Sequence, residues 1–128
     1  MKTDFNSRQN FQNKQELNLL IQNSYLSEDY DGFIWLSNKY FDLHGYDIEL
    51  LKNLISVLIL QKRFGIVQKY LNILSIDLEE YAVGYFLNGA FNLAKGNYPM
   101  ANNLFRKAVK LGISKEYIEY QTGFKIKD

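Results

Sequence analysis

The chain has 128 residues, 15 basic and 14 acidic, for a formal net charge of +1; 47% are apolar, one is proline and none is cysteine. That length suits one domain able to bury roughly two-thirds of its unfolded surface, and near-neutral charge gives no pull towards nucleic acid or anionic lipid. The lack of cysteine excludes disulfides, thiolate metal ligands and a cysteine nucleophile.

The opening MKTDFNSRQNF has no apolar stretch of the secretory-signal kind. The longest apolar run, Leu54 to Leu60, is interrupted by Ser56 and falls far short of the ~18 residues a membrane span needs. Cytoplasmic residence without membrane insertion is the expectation. Residues 1–13 are polar and rich in Asn and Gln, so they are expected as a flexible arm. A first helix over 15–27 is marked by Leu17, Leu20 and Ile21 at helical spacing. Ser27-Glu28-Asp29 breaks it, and Asp29 can cap the next helix, expected over 30–44 and stopped at Gly45.

Asp47 caps a third helix, 48–61, which is apolar on most sides and so expected to be buried by neighbours. Its partner follows over 64–76, and Asp77 offers a cap or turn. The next pair is expected over 79–95 and 98–111, divided at Gly96-Asn97 and ended by Gly112. Glu79-Glu80 lies in the first turn of that pair, where the helix dipole favours acid. Ser114 can cap a short last helix ending near Gly123. Tyr117, Ile118 and Tyr120 are expected to cover the third pair, while Lys115, Glu116 and Glu119 face water. GFKIKD is expected to fray, leaving 124–128 as a tail.

The last pair sets the pattern for the rest. Gly89 lies mid-helix, Ala101 and Ala108 share one side of the following helix, and Phe105 lies between them. Small residues beside bulky ones mark two helices in close contact. Tyr30, Phe64 and Tyr98 are evenly spaced along the chain, and each aromatic follows a polar turn. The same backward step takes Ala101 to Val67 and Phe33, Phe105 to Leu71 and Ser37, and Ala108 to Leu74 and Tyr40. The register holds while bulky residues replace the small ones.

This pattern resembles the tetratricopeptide repeat (TPR), a helix–turn–helix unit of about 34 residues. The family's small residue in the first helix falls on Gly89, its turn glycine on Gly96, and the later positions on Tyr98, Ala101, Phe105 and Ala108. Asn88 and Asn92 depart from the usual large apolar residues, and Ile113 replaces the closing proline. The resemblance implies an all-α superhelix of about three repeats, at roughly 14–47, 48–81 and 82–115, with a capping helix at 116–123 closing a TPR-like domain over 14–123.

No chemical constellation emerges beside it. His44, the single histidine, sits in the last turn of a helix, where its charge suits the dipole. Asp42 and Asp47 nearby read as solvated caps. No phosphate loop, metalloprotease pair or Gly-x-Ser-x-Gly elbow is present. Lys62-Arg63 is too small for a nucleic-acid stripe, and Arg106, Lys107 and Lys110 read as a solvated face. Trp35 is expected to be partly buried. No enzyme activity, metal or cofactor is expected.

The resemblance implies instead a concave groove that holds a partner peptide or amphipathic helix. Carried over by position, its lining is Asn18, Gln22 and Tyr25 in the first unit, Lys52, Ser56 and Ile59 in the second, and Val83, Phe86, Ala90 and Leu93 in the third. Gln15 and Glu49 lie on the same faces. Tyr25, Ile59, Phe86 and Leu93 would be the anchors. The clamp by which some family members hold a terminal carboxylate is missing: its places hold Asn18, Gln22, Asn53, Val83 and Leu87, and only Asn53 matches. The implied function is a non-enzymatic protein-binding scaffold, chaperone or adaptor. In size it is similar to the small TPR chaperones of bacterial type III secretion. The alternative is a self-associating structural solenoid, such as a homodimer.

Overall fold

A computed structural model describes residues 14–74 and 81–128 in full. The side chains of the arm expected over 1–13 lie outside them, as do the features expected at Asp77 and Glu79-Glu80. The described residues are all helical or connecting, in seven helices: α1 (Lys2–Leu26), α2 (Tyr30–His44), α3 (Ile48–Leu60), α4 (Phe64–Ser75), α5 (Tyr81–Ala94), α6 (Tyr98–Lys110) and α7 (Lys115–Thr122). Among the described residues, no helix is long and apolar enough to cross a membrane.

The chain divides into two compact units, Met1–Leu54 and Ile55–Asp128. In the first, α1 packs closely on α2. Leu17 and Ile21 of α1 are buried, as are Phe33, Ile34, Tyr40 and Phe41 of α2. Ser37 is fully enclosed, and its hydroxyl has no partner among the described residues. Caps follow the sequence. The Asp29 carboxylate accepts from the Gly32 N–H at 3.1 Å, and Asp47 accepts from the Leu50 N–H at 3.0 Å. Gly45, at φ 84°, stops α2, a left-handed seat that glycine takes without steric cost.

In the second unit the closest helix pair is α5 with α6, followed by α4 with α5 and α6 with α7. Ala101, Phe105 and Ala108 are fully buried in α6, and α4 buries Val67, Leu71 and Leu74 at the corresponding positions.

The turns repeat with closer fidelity than the helices. At the ends of α1, α3 and α5, the N–H groups of Asp29, Arg63 and Asn97 donate to the carbonyls of Ser24, Leu58 and Asn92 at 2.9, 2.9 and 2.8 Å. One residue earlier, Glu28, Lys62 and Gly96 donate to Tyr25, Ile59 and Leu93 at 3.2, 3.0 and 3.0 Å. Those three residues stand at φ 61°, 58° and 81°. This double bond around a left-handed residue satisfies carbonyls that a helix end otherwise leaves unpaired. It recurs at the even interval that separates Tyr30, Phe64 and Tyr98.

The third turn has an added brace. Asn92, nearly buried, donates its amide to the carbonyl of Asn88 at 2.9 Å and to its side chain at 3.0 Å, and accepts from Asn97 at 3.4 Å. That use explains asparagines where apolar residues were expected.

Three expectations are corrected. Trp35 is 61% exposed, with the Lys39 ammonium 4.9 Å from its ring centre. Tyr120 is 86% exposed and covers nothing. The tail does not fray: Ile126 is buried and the Lys127 backbone is bonded to Asn102. Phe124 and Ile126, two apart, both pack against α6 residues.

Candidate functional site

The first unit carries a cavity of about 340 Å³ between α1 and the first turns of α3. Its floor is apolar: Ile21 and Phe33, both buried, and half-buried Leu50. Its rim is polar and exposed: Asn18 and Gln22 from α1, Glu49 and Asn53 from α3. Tyr25 closes one side, its ring 5.3 Å from that of Phe33. The order follows from helix geometry. Leu17 and Ile21 point one face of α1 into the unit, so Asn18, Gln22 and Tyr25 share the adjoining face. The Asp47 cap starts α3 where Glu49 and Asn53 can reach the same opening.

Asn18, Gln22 and Tyr25, expected in the groove, therefore do converge, and Glu49 and Asn53 join them. Lys52 is turned towards Glu49, 2.8 Å away. An i,i+3 pair whose carboxylate is exposed contributes little stability, but it engages the cation beside the rim. Asn and Gln amides each donate and accept, as a peptide backbone does. The cavity thus pairs amide hydrogen-bonding groups and the Glu49 carboxylate with a small apolar floor, the usual build of a recognition site.

The second-unit residues stand differently. Ser56 is exposed, while Ile59, Val83 and Ala90 are half-buried. Phe86 has its ring centre 6.1 Å from those of both Phe105 and Tyr117. Leu93 packs on the cluster formed by Ala101, Phe105, Ala108, Ile118 and Ile126. Two of the expected anchors are thus engaged by the chain's own residues.

Other polar groupings are small. Between α4 and α5 a cavity of about 130 Å³ is edged by Gln68, Asn72 and Tyr81. The Tyr81 and Tyr85 hydroxyls are 3.0 Å apart, and that hydrogen bond, with the neighbouring Tyr85 charge, holds the Tyr81 phenol above its ordinary range. The Lys107 ammonium lies 5.4 Å from the Tyr85 ring centre. His44 packs its ring 5.1 Å from Tyr40, and its Nε2 is enclosed without a partner. Among the described residues, no group of three or more His, Asp or Glu stands together as metal ligands would.

Asn102 is the residue that sequence reasoning missed. Nothing in its neighbourhood in the chain announces that its amide grips Lys127, 25 positions away. The alternation of Phe124 and Ile126 was the available signal. No protein-family model, curated protein or solved structure matches this chain.

Proposed function

We propose that this is a TPR-type helical repeat protein without enzymatic activity, a scaffold, chaperone or adaptor that binds another protein through the α1–α3 face of its first unit. The observation that carries the reading is the same left-handed turn closing α1, α3 and α5 at an even interval, the interval of the TPR unit. The α1–α3 cavity lies on first-helix faces, where a protein of that type receives its partner. Its rim of three amides and the Glu49 carboxylate, with its apolar floor, fits a peptide or one face of an amphipathic helix, with one apolar side chain on Ile21, Phe33 and Leu50. The lack of a basic clamp disfavours a terminal carboxylate.

A displayed library of random peptides tests it. Sequences enriched on the wild-type protein are expected to bind the Asn18→Ala/Asn53→Ala variant at least about tenfold more weakly, a loss of ~1.4 kcal/mol. Enriched sequences that bind a folded double variant equally well would exclude this face.

Self-association is the second reading, favoured by one observation. Leu19, Leu20 and Leu26 on α1 are 59%, 49% and 76% exposed. Apolar side chains so placed favour burial against another surface. A mass that rises with concentration in wild-type protein, and stays monomeric in Leu19→Glu/Leu26→Glu, would establish it; a wild-type monomer at all concentrations would dismiss it.

A further inference from the structure

The last fifteen residues bind the second unit through contacts of the kind a peptide ligand makes. The Ser114 hydroxyl caps α7, accepting from the Tyr117 N–H at 3.1 Å. Ile118 is fully buried against α6 residues. Gly123, at φ 71°, then turns the chain into a non-helical run. The Phe124 ring lies 5.7 Å from Phe105 and stacks on Tyr98 at 6.4 Å.

Asn102 completes the grip. Its Nδ2 donates to the Lys127 carbonyl at 2.9 Å and its Oδ1 accepts from the Lys127 N–H at 2.7 Å. One amide thus reads both polar edges of a main chain and ignores the side chain. Glu119 accepts from the Ile126 N–H at 2.9 Å.

Little of this segment is buried: Ile118 and Ile126 are its two buried side chains. A cavity of about 400 Å³ lies between the segment and α6, edged by Tyr98, Pro99 and Asn102 on one side and by Phe124 and Lys127 of the segment on the other. Main-chain bonds through one amide and two apolar seats thus join the segment to α6.

We infer that the α5–α6 surface of the second unit is a recognition site for a protein segment of defined chemistry, and that residues 114–128 occupy it in cis as a displaceable strap. The segment is a short capped helix with one inward aliphatic side chain, a glycine turn, and a non-helical Phe-x-Ile-Lys whose Lys127 main chain meets Asn102. A tethered segment acts at an effective concentration on the order of millimolar, so a partner binds appreciably once the strap is loosened. The inference stands apart from the α1–α3 site.

The test uses the full chain carrying Phe124→Ser and Ile126→Asp, which weakens the strap and leaves Phe86, Asn102 and Phe105 intact. The probe is a fluorescein-labelled peptide of residues 114–128, followed by anisotropy. The variant is expected to bind it at least about tenfold more tightly than wild type does, because self-occupancy is relieved. Adding Asn102→Ala should remove that gain. A variant that stays helical but binds no peptide overturns the proposal, and so does one that loses its cooperative unfolding, since the segment would then belong to the core. Hydrogen exchange on wild type gives an independent measure. The Ile126 and Lys127 amides should exchange well before those of α5 and α6; exchange only through global unfolding overturns the strap.

Discussion

A Cβ added to Gly89 would lie 2.6 Å from two ring carbons of Phe105. Phe105 is fully buried, and its ring also meets Phe86 and Phe124, so it has little room to move aside. Gly89 therefore sets how closely α5 and α6 approach. Gly89→Ala should destabilise by about 1–3 kcal/mol through overpacking, and Gly89→Leu by more. In the same helix, a Cβ at Gly84 meets nothing within 4 Å. Gly84→Ala should stabilise by roughly 0.5–1 kcal/mol, the helix-propensity difference. Urea denaturation of both variants checks the opposite signs. A neutral Gly89→Ala would mean that the two helices are not held at this distance.

Glu28 and Lys62 occupy left-handed seats that Gly96 fills in the third turn. For a residue with a Cβ that conformation costs about 1–2 kcal/mol, which glycine avoids. Lys62→Gly should therefore raise stability by ~0.5–1 kcal/mol, the remainder lost to backbone entropy. Gly96→Ala should lower it by about 1 kcal/mol. Thermal melts of the two variants, moving in opposite directions, test whether the turns are equivalent.

Ser37 is completely enclosed and its hydroxyl has no hydrogen-bond partner among the described residues. Enclosing an unpaired hydroxyl costs roughly 1–3 kcal/mol. Ser37→Ala should stabilise the first unit by about 1 kcal/mol, read as a higher urea midpoint at unchanged slope. A lower midpoint would show that the hydroxyl has a partner in solution.

Glu116 lies below its ordinary value of 4.5, held there first by its own backbone N–H and then by the Ser114 hydroxyl, which is 3.1 Å away. A depressed carboxylate favours the folded state above its unfolded value and loses that contribution as pH falls through the folded value. The start of α7 should loosen below about pH 4.5. Exchange at the Tyr117 amide, corrected for intrinsic pH dependence, should rise in that window in wild type and stay level in Glu116→Gln. An equal rise in both would assign the effect to another group.

The positions of α2, α3, α4, α6 and α7 were legible in the order of residues because they rest on local physics, whereas α1, expected from residue 15, runs from Lys2 to Leu26. Apolar spacing, the Asp29 and Asp47 caps and the Gly45 stop act within one or two turns. The α1 half of the candidate site was legible for the same reason: Asn18, Gln22 and Tyr25 follow from which face Leu17 and Ile21 bury. Tertiary contacts decided what spacing cannot encode. Phe86 and Leu93 have the spacing of free anchors, yet Tyr117 and the α6 cluster engage them.

What the amino-acid order alone determined was an all-helical chain with a turn recurring at an even interval, since turn bonds and caps join residues at most a few positions apart. Folding in three dimensions decided that Asn102 would hold Lys127 and that Phe124 and Ile126 would pack on α6. Those contacts join residues about twenty positions apart or more. Their free energy comes from burial and paired amides that exist only after the helices have come together.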